Sequence, residues 1–154
     1  MKQLFTLSAF LIFGFSAFAQ KHYERLATMD VQHYRFELTI TDASDELNAI
    51  AHVKIKFNES LTNFSLDLVE RSGKKGMEVI AVMSDNKALN FAHEGGALRI
   101  TDVVEAGSLK DYLIAYKGVP ETGLIISKNK YGERTFFGDN WPDRARHWLP
   151  TVDH

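Results

Sequence analysis

Two stretches near the front of the chain alternate apolar and polar residues with a period of two, and this pattern restricts the fold more than anything else in the sequence. Tyr34, Phe36, Leu38 and Ile40 alternate with His33, Arg35, Glu37 and Thr39. Successive side chains on a strand point to opposite faces, so this stretch reads as a strand with one buried face. Leu47, Ala49, Ala51, Val53, Ile55 and Phe57 repeat the pattern, interrupted only by Ile50. Between them Ala43-Ser44-Asp45-Glu46 is turn-like. A loop over 43–46 sets Tyr34 opposite Ile55, Phe36 opposite Val53, Leu38 opposite Ala51 and Ile40 opposite Ala49. On the outer face it brings Glu37 to His52. The apolar residues of both strands then share one side. A slip of one residue would turn them to water, at about 1.5–3 kcal/mol for each large side chain.

Shorter strands follow at regular spacing. Phe64, Leu66 and Leu68 alternate before the loop at 71–76, and Val79 to Met83 precedes an Asp85-Asn86 turn. Leu89 and Phe91 lead to Glu94-Gly95-Gly96; Leu98 and Ile100 follow, then a polar link to Tyr112, Ile114 and Tyr116. Gly118-Val119-Pro120 breaks the chain. Leu124-Ile125-Ile126 and Thr135-Phe136-Phe137 flank a Lys130-Tyr131-Gly132 turn. No segment holds a helical period. Many short strands separated by Gly, Asn and Asp turns predict an all-β, antiparallel β-sandwich.

The first nineteen residues stand apart from that pattern. Met1-Lys2-Gln3 is a short positive start, Leu4 to Phe15 is apolar apart from Thr6, Ser8 and Gly14, and Ala17-Phe18-Ala19 supplies small residues where a signal peptidase reads. This predicts a signal peptide over 1–19, cleaved after Ala19, and export to the periplasm or the exterior. The apolar run is too short to span a bilayer, so no membrane span is expected after cleavage. Residues 20–30 read as a lead-in arm, and 31–154 as one β-domain.

Composition closes off several chemistries. The sequence has no cysteine, which excludes thiol catalysis and Cys-ligated metals, and leaves an exported chain to be held by packing alone. A formal charge of −2 with dispersed Lys and Arg gives no basic stripe for nucleic acid. His93-Glu94-Gly95-Gly96-Ala97 begins like a zincin helix, but its fifth position is Ala97 and two glycines would break the helix, so it reads as a hairpin turn. The remaining histidines form no three-ligand zinc set. No Gly-x-Ser-x-Gly elbow is present, and no acidic pair stands out as the pair of a glycoside hydrolase. Asn58-Glu59-Ser60 and Asn63-Phe64-Ser65 fit the glycosylation acceptor triplet.

The segment from Tyr131 to Leu149 differs in kind. It holds both tryptophans, Trp141 and Trp148, with Phe136 and Phe137, interleaved with Arg134, Asp139, Asp143, Arg144 and Arg146. Such a mixture either packs as core with paired charges at its rim or builds a recognition surface. Here the sequence resembles the amino-terminal domain of aminopeptidase N-like zinc metallopeptidases, a family that includes leukotriene A4 hydrolase. Trp148-Leu149-Pro150-Thr151-Val152-Asp153 matches its Pro-x-x-Asp signature, and Gly118-Val119-Pro120 and Gly123 to Ile126 match more weakly, back to about Asp30.

The resemblance implies a saddle-like β-sandwich, incomplete at its C-terminus, placed ahead of a catalytic domain with a zinc-binding HExxH motif. No cofactor is expected in this chain; zinc would reside in the absent catalytic domain, which would be its partner within the same polypeptide, and alone the chain would be inactive. The family's residue for the substrate amino group falls on Trp141, a departure from its Gln or Glu, with Asp139 two residues earlier. Asp139 and Trp141 are therefore the candidate binding residues for a peptide N-terminus, Asp139 by charge and Trp141 by a cation–π face. The alternative is a stand-alone secreted β-sandwich that binds a partner without chemistry.

Overall fold

A computed structural model describes residues 27–152. The signal segment at 1–19 and the lead-in arm up to 26 lie outside the described residues. Ten strands follow in the order β1 (Met29–Thr39), β2 (Leu47–Phe57), β3 (Leu61–Asp67), β4 (Gly76–Ser84), β5 (Lys87–Ala88), β6 (Asn90–Glu94), β7 (Ala97–Val104), β8 (Leu109–Val119), β9 (Leu124–Lys128) and β10 (Arg134–Gly138). The only helix among the described residues is a single 3-10 turn, Ala145–His147. The strands form three antiparallel sheets, ordered β1-β2-β8-β4-β5, β3-β7-β6 and β10-β9. The all-β, antiparallel expectation holds.

The core lies between the five-stranded and three-stranded sheets. Every alternate residue of β2 from Leu47 to Phe57 is buried, as are Tyr112, Ile114 and Tyr116 of β8. Phe64 and Leu66 of β3 and Leu98, Ile100 and Val104 of β7 face them. Phe64 reaches across to rings of the opposite sheet, with centroids 5.2 Å from Phe57 and 4.9 Å from Tyr112. At the rim of this contact Asp102 of β7 accepts hydrogen bonds from Tyr112 Oη (2.8 Å) and Lys110 Nζ (2.9 Å) of β8. Burial first, and then this carboxylate, push the Tyr112 phenol well above its ordinary pKa, so it stays a neutral donor.

The front hairpin forms, in a different register from the one expected. Tyr34 lies opposite Val53, Phe36 opposite Ala51 and Leu38 opposite Ala49, two residues from the predicted pairs. Period-two patterning cannot tell these registers apart, because a slip of two keeps every side chain on its face. The loop decides. It runs from the Thr39–Asn48 pair rather than from Asp42, and Ile40 falls outside the ladder. Ser44 and Asp45 in this loop bind Arg134 of β10, Ser44 O at 2.9 Å, which explains why the turn is not tighter. A bulge between Val31 and His33 absorbs a further irregularity.

The other departures are local. Leu38 and Ile40, placed on the buried face from sequence, are exposed at 39% and 40%. β1 begins at Met29, whose side chain is buried, so the expected arm over 20–30 already contains strand at its end. The expected polar link before Tyr112 is mostly strand, shared by β7 and β8 around a short turn. Gly118 does not break the chain either. β8 runs through it to Val119, and the missing side chain lets Gly76 approach: a Cβ at 118 would sit 2.2 Å from Gly76 O.

Candidate functional site

The segment between β10 and the 3-10 turn carries both candidate residues, and its backbone is pinned at several points. Asp139 N–H donates to Gly123 O at 2.7 Å, tying the end of β10 to the start of β9. Asn140 accepts at Oδ1 from Trp148 Nε1 (2.8 Å), and its carbonyl accepts from Arg144 N–H (3.0 Å). Trp148 itself is buried, with Leu149 beside it. Of the sequence segment's two tryptophans, one is therefore core and the other surface: Trp141 is 81% exposed.

Asp139 sits partly exposed. Its Oδ2 accepts from Arg144 NH1 at 2.7 Å, while Oδ1 carries no hydrogen bond among the described residues. Half of the carboxylate is thus available to a second cation, and the guanidinium fixes its orientation. Phe137, exposed at 64%, and Ile125, at 46%, are directly paired across the β9–β10 ribbon nearby in sequence. Asp153 of the Pro-x-x-Asp match lies outside the described residues.

The His93–Ala97 stretch is a hairpin, as its glycines require. Glu94 pairs with Ala97 across a two-residue turn in which Gly95 (φ +63°) and Gly96 (φ +75°) take left-handed conformations that residues with a Cβ avoid. His93 Nε2 donates to Leu68 O at 3.0 Å, since a carbonyl only accepts; burial lowers the His93 pKa, so the ring is neutral. Among the described residues no group of three His, Cys, Asp or Glu side chains is arranged to hold a metal ion. The donor set of the described residues does not fit zinc.

Sequence reasoning missed a carboxylate site on that same hairpin. Glu70 spreads its two oxygens over Gly95 N–H (3.2 Å) and Gly96 N–H (2.7 Å). Its pKa is lowered, first by its own backbone N–H, then by that of Gly96. Arg146 completes the clamp, donating to Gly96 O and contacting Asp67 Oδ1, both at 3.0 Å. The paired glycines were the available signal, because successive N–H groups in a left-handed turn form an anion-binding concavity. The predicted Glu37–His52 contact is present at 3.1 Å, with Arg35 NH2 2.9 Å from the same imidazole nitrogen, although Glu37 stands opposite Ile50.

With this geometry in hand, comparison with solved structures defines the class of fold. An M1 zinc metallopeptidase from Deinococcus radiodurans superimposes with a TM-score of 0.66 over 82% of this chain, at 24% identity. A two-domain M1 zinc metallopeptidase variant bound to L-arginine gives 0.65 over 82%, at 22% identity. Leukotriene A4 hydrolase from Saccharomyces cerevisiae gives 0.66 over 82%, at 16% identity. The match falls on the amino-terminal region of these proteins, so the fold is that of the β-domain with which M1 zinc metallopeptidases begin. The chain spans 29%, 30% and 21% of their respective lengths. No protein-family model and no curated protein matches the sequence.

Proposed function

We propose that this chain is the amino-terminal β-domain of an exported zinc metallo-aminopeptidase. In this reading it receives the free N-terminus of a peptide substrate and docks against an HExxH catalytic domain carried on the same polypeptide. The observation that carries the reading is the fold match over 82% of the chain. Asp139 supplies the charge for the substrate's ammonium group through its unbonded Oδ1, with Arg144 holding the other oxygen. Trp141, two residues further on and 81% exposed, offers a ring face to the same cation. Zinc belongs to the catalytic domain in this reading. The first nineteen residues direct export, and the secreted product then begins at Gln20.

The decisive experiment reads the coding sequence past His154 and assays its full product. An HExxH motif with a downstream glutamate is expected, together with zinc-dependent release of N-terminal residues from peptides. In that enzyme Asp139→Asn raises KM for an unblocked peptide about tenfold, the loss of one charge-assisted contact, and leaves an N-acetylated peptide unaffected. Unchanged KM for the unblocked peptide would remove Asp139 from the site. A stop codon directly after His154 would favour a stand-alone secreted binding module instead.

A further inference from the structure

Where the chain leaves β3, consecutive residues from Asp67 to Glu70 hold two other segments in alternation. Leu68 N–H donates to Gly96 O at 3.1 Å, and the Glu70 carboxylate accepts from Gly95 N–H and Gly96 N–H. Asp67 Oδ1 lies 3.0 Å from Arg146 Nη2, and Val69 N–H donates to Arg146 O at 2.8 Å. The even-numbered residues therefore grip the β6–β7 turn and the odd-numbered ones grip Arg146, in keeping with the alternating directions of an extended chain. Arg146 Nη2 closes this bracket by donating to Gly96 O at 3.0 Å. Both lone pairs of that carbonyl are then used, one by Leu68 and one by Arg146.

The bracket bears directly on the candidate segment. Arg146 is the middle residue of the 3-10 turn Ala145–His147, and the residues two positions to either side of it hold Asp139 and Asn140. Arg144 Nη1 donates to Asp139 Oδ2 (2.7 Å) and Arg144 N–H to Asn140 O (3.0 Å), while Trp148 Nε1 donates to Asn140 Oδ1 (2.8 Å). Bonds within the turn, His147 N–H to Arg144 O (3.2 Å) and Trp148 N–H to Ala145 O (3.0 Å), join these supports to Arg146. On the other side, two successive glycines give the β6–β7 turn wide conformational freedom, and the Glu70 carboxylate restricts it by binding both N–H groups. A Cβ at Gly96 would lie 3.3 Å from Arg146 Nη2, so turn and guanidinium sit in close contact.

We propose that Glu70 and Arg146 are positioning residues for Asp139. Glu70 fixes the Gly95–Gly96 turn, and the turn presents Gly96 O to Arg146. Arg146 in turn sets the 3-10 turn beside Arg144, which holds one oxygen of the Asp139 carboxylate. Both residues act through Arg144 and neither touches a reacting group. The contact of Asp139 with a substrate amine rests on the peptidase reading above, whereas the coupling from Glu70 to Asp139 belongs to the described residues alone.

Hydrogen exchange on the chain itself reads this coupling. Arg146→Met should accelerate exchange at the Asp139 and Arg144 amides and the Trp148 indole about tenfold, the loss of two side-chain contacts. Arg146→Lys keeps one charged donor and should recover part of that protection, which a space-filling role would not predict. Glu70→Gln leaves a single acceptor oxygen for two N–H groups and should accelerate the same sites about threefold. Thr151 N–H, bonded to Asp67 O beside the bracket, is the internal control and should change by less than about twofold. Unchanged exchange at Asp139 and Arg144 in Arg146→Met and Glu70→Gln, or equal acceleration at Thr151, overturns the proposal. So does multiplication of the two effects in the double variant: Glu70 acts through Arg146, so its effect should vanish once Arg146→Met is present. None of these rates measures peptidase activity. Failure of the enzyme reading leaves the coupling standing, and failure of the coupling leaves the Asp139→Asn comparison of KM values intact.

Discussion

His93, in β6, and Glu70, in the loop between β3 and β4, both lie at the β6–β7 turn and both have lowered pKa values, from different causes. Burial disfavours the charged imidazole of His93, whereas hydrogen bonds from backbone N–H groups favour the charged carboxylate of Glu70. For each group the folded protein binds its proton less tightly than the unfolded chain does. Stability is therefore full above the ordinary pKa and falls as pH drops below it. The decline should begin below the ordinary histidine value of 6.5 through His93, and steepen below the ordinary carboxylate value of 4.5 through Glu70. His93→Gln keeps a donor for Leu68 O but cannot titrate. It should flatten the first part of the urea-midpoint profile and leave the second. A profile with an unchanged slope just below 6.5 would show that another group governs it.

Strand elements depend on close backbone approaches that a pattern of apolar residues does not reveal. Gly118 in β8 meets Gly76 and Met77 of β4; a Cβ there would lie 2.2 Å from Gly76 O and 2.9 Å from Met77 Cα. Gly132 in the β9–β10 turn has open space around it but a left-handed φ of +86°. Gly118→Ala must move two strands and should cost about 1–3 kcal/mol or more. Gly132→Ala meets only local backbone strain, about 1–2 kcal/mol. Thermal melts should rank Gly118→Ala as the more damaging, and the opposite order would mean that β4 and β8 separate easily. The same contrast explains what the sequence disclosed. Leu47 to Phe57, Phe64 and Leu66, and Tyr112 to Tyr116 announced their buried faces by alternation. The hairpin register and the continuity of β8 through Gly118 depend on contacts between residues far apart in sequence, and alternation carries no information about those. Asp139 and Trp141 were legible only through likeness to a family motif. Their supports, Trp148 on Asn140 and Arg144 on Asp139, need the folded loop to become visible.

At the scale of the molecule, the candidate segment is only as ordered as the junction between the β9–β10 ribbon and the sandwich. Trp148 lies at that junction. A Cβ at Gly123 would sit 2.9 Å from its Cδ1, and one at Gly138 would sit 3.8 Å from its Cζ2, so the indole covers both the start of β9 and the end of β10. Beyond it the chain continues through buried Leu149 to the Thr151–Asp67 bridge on β3. On the far side, Arg134 bonds Ser44 O and Asp45 in the loop between β1 and β2. The ribbon is thus fastened at two places, one by apolar burial and one by charge. Trp148→Ala removes a large buried ring and should cost about 3–5 kcal/mol. Trp148→Phe keeps most of the apolar contact and loses mainly the bond to Asn140 Oδ1, about 0.5–1.5 kcal/mol. The junction argument makes a sharper demand than a lower melting temperature. In Trp148→Ala, amides of Ile126 and Phe136 should exchange faster than those of Val53 and Ile114, because the ribbon loosens before the sandwich core opens. Uniform acceleration across both sets would mean that ribbon and sandwich unfold as one unit, and the Arg134 anchor would then be the stronger of the two.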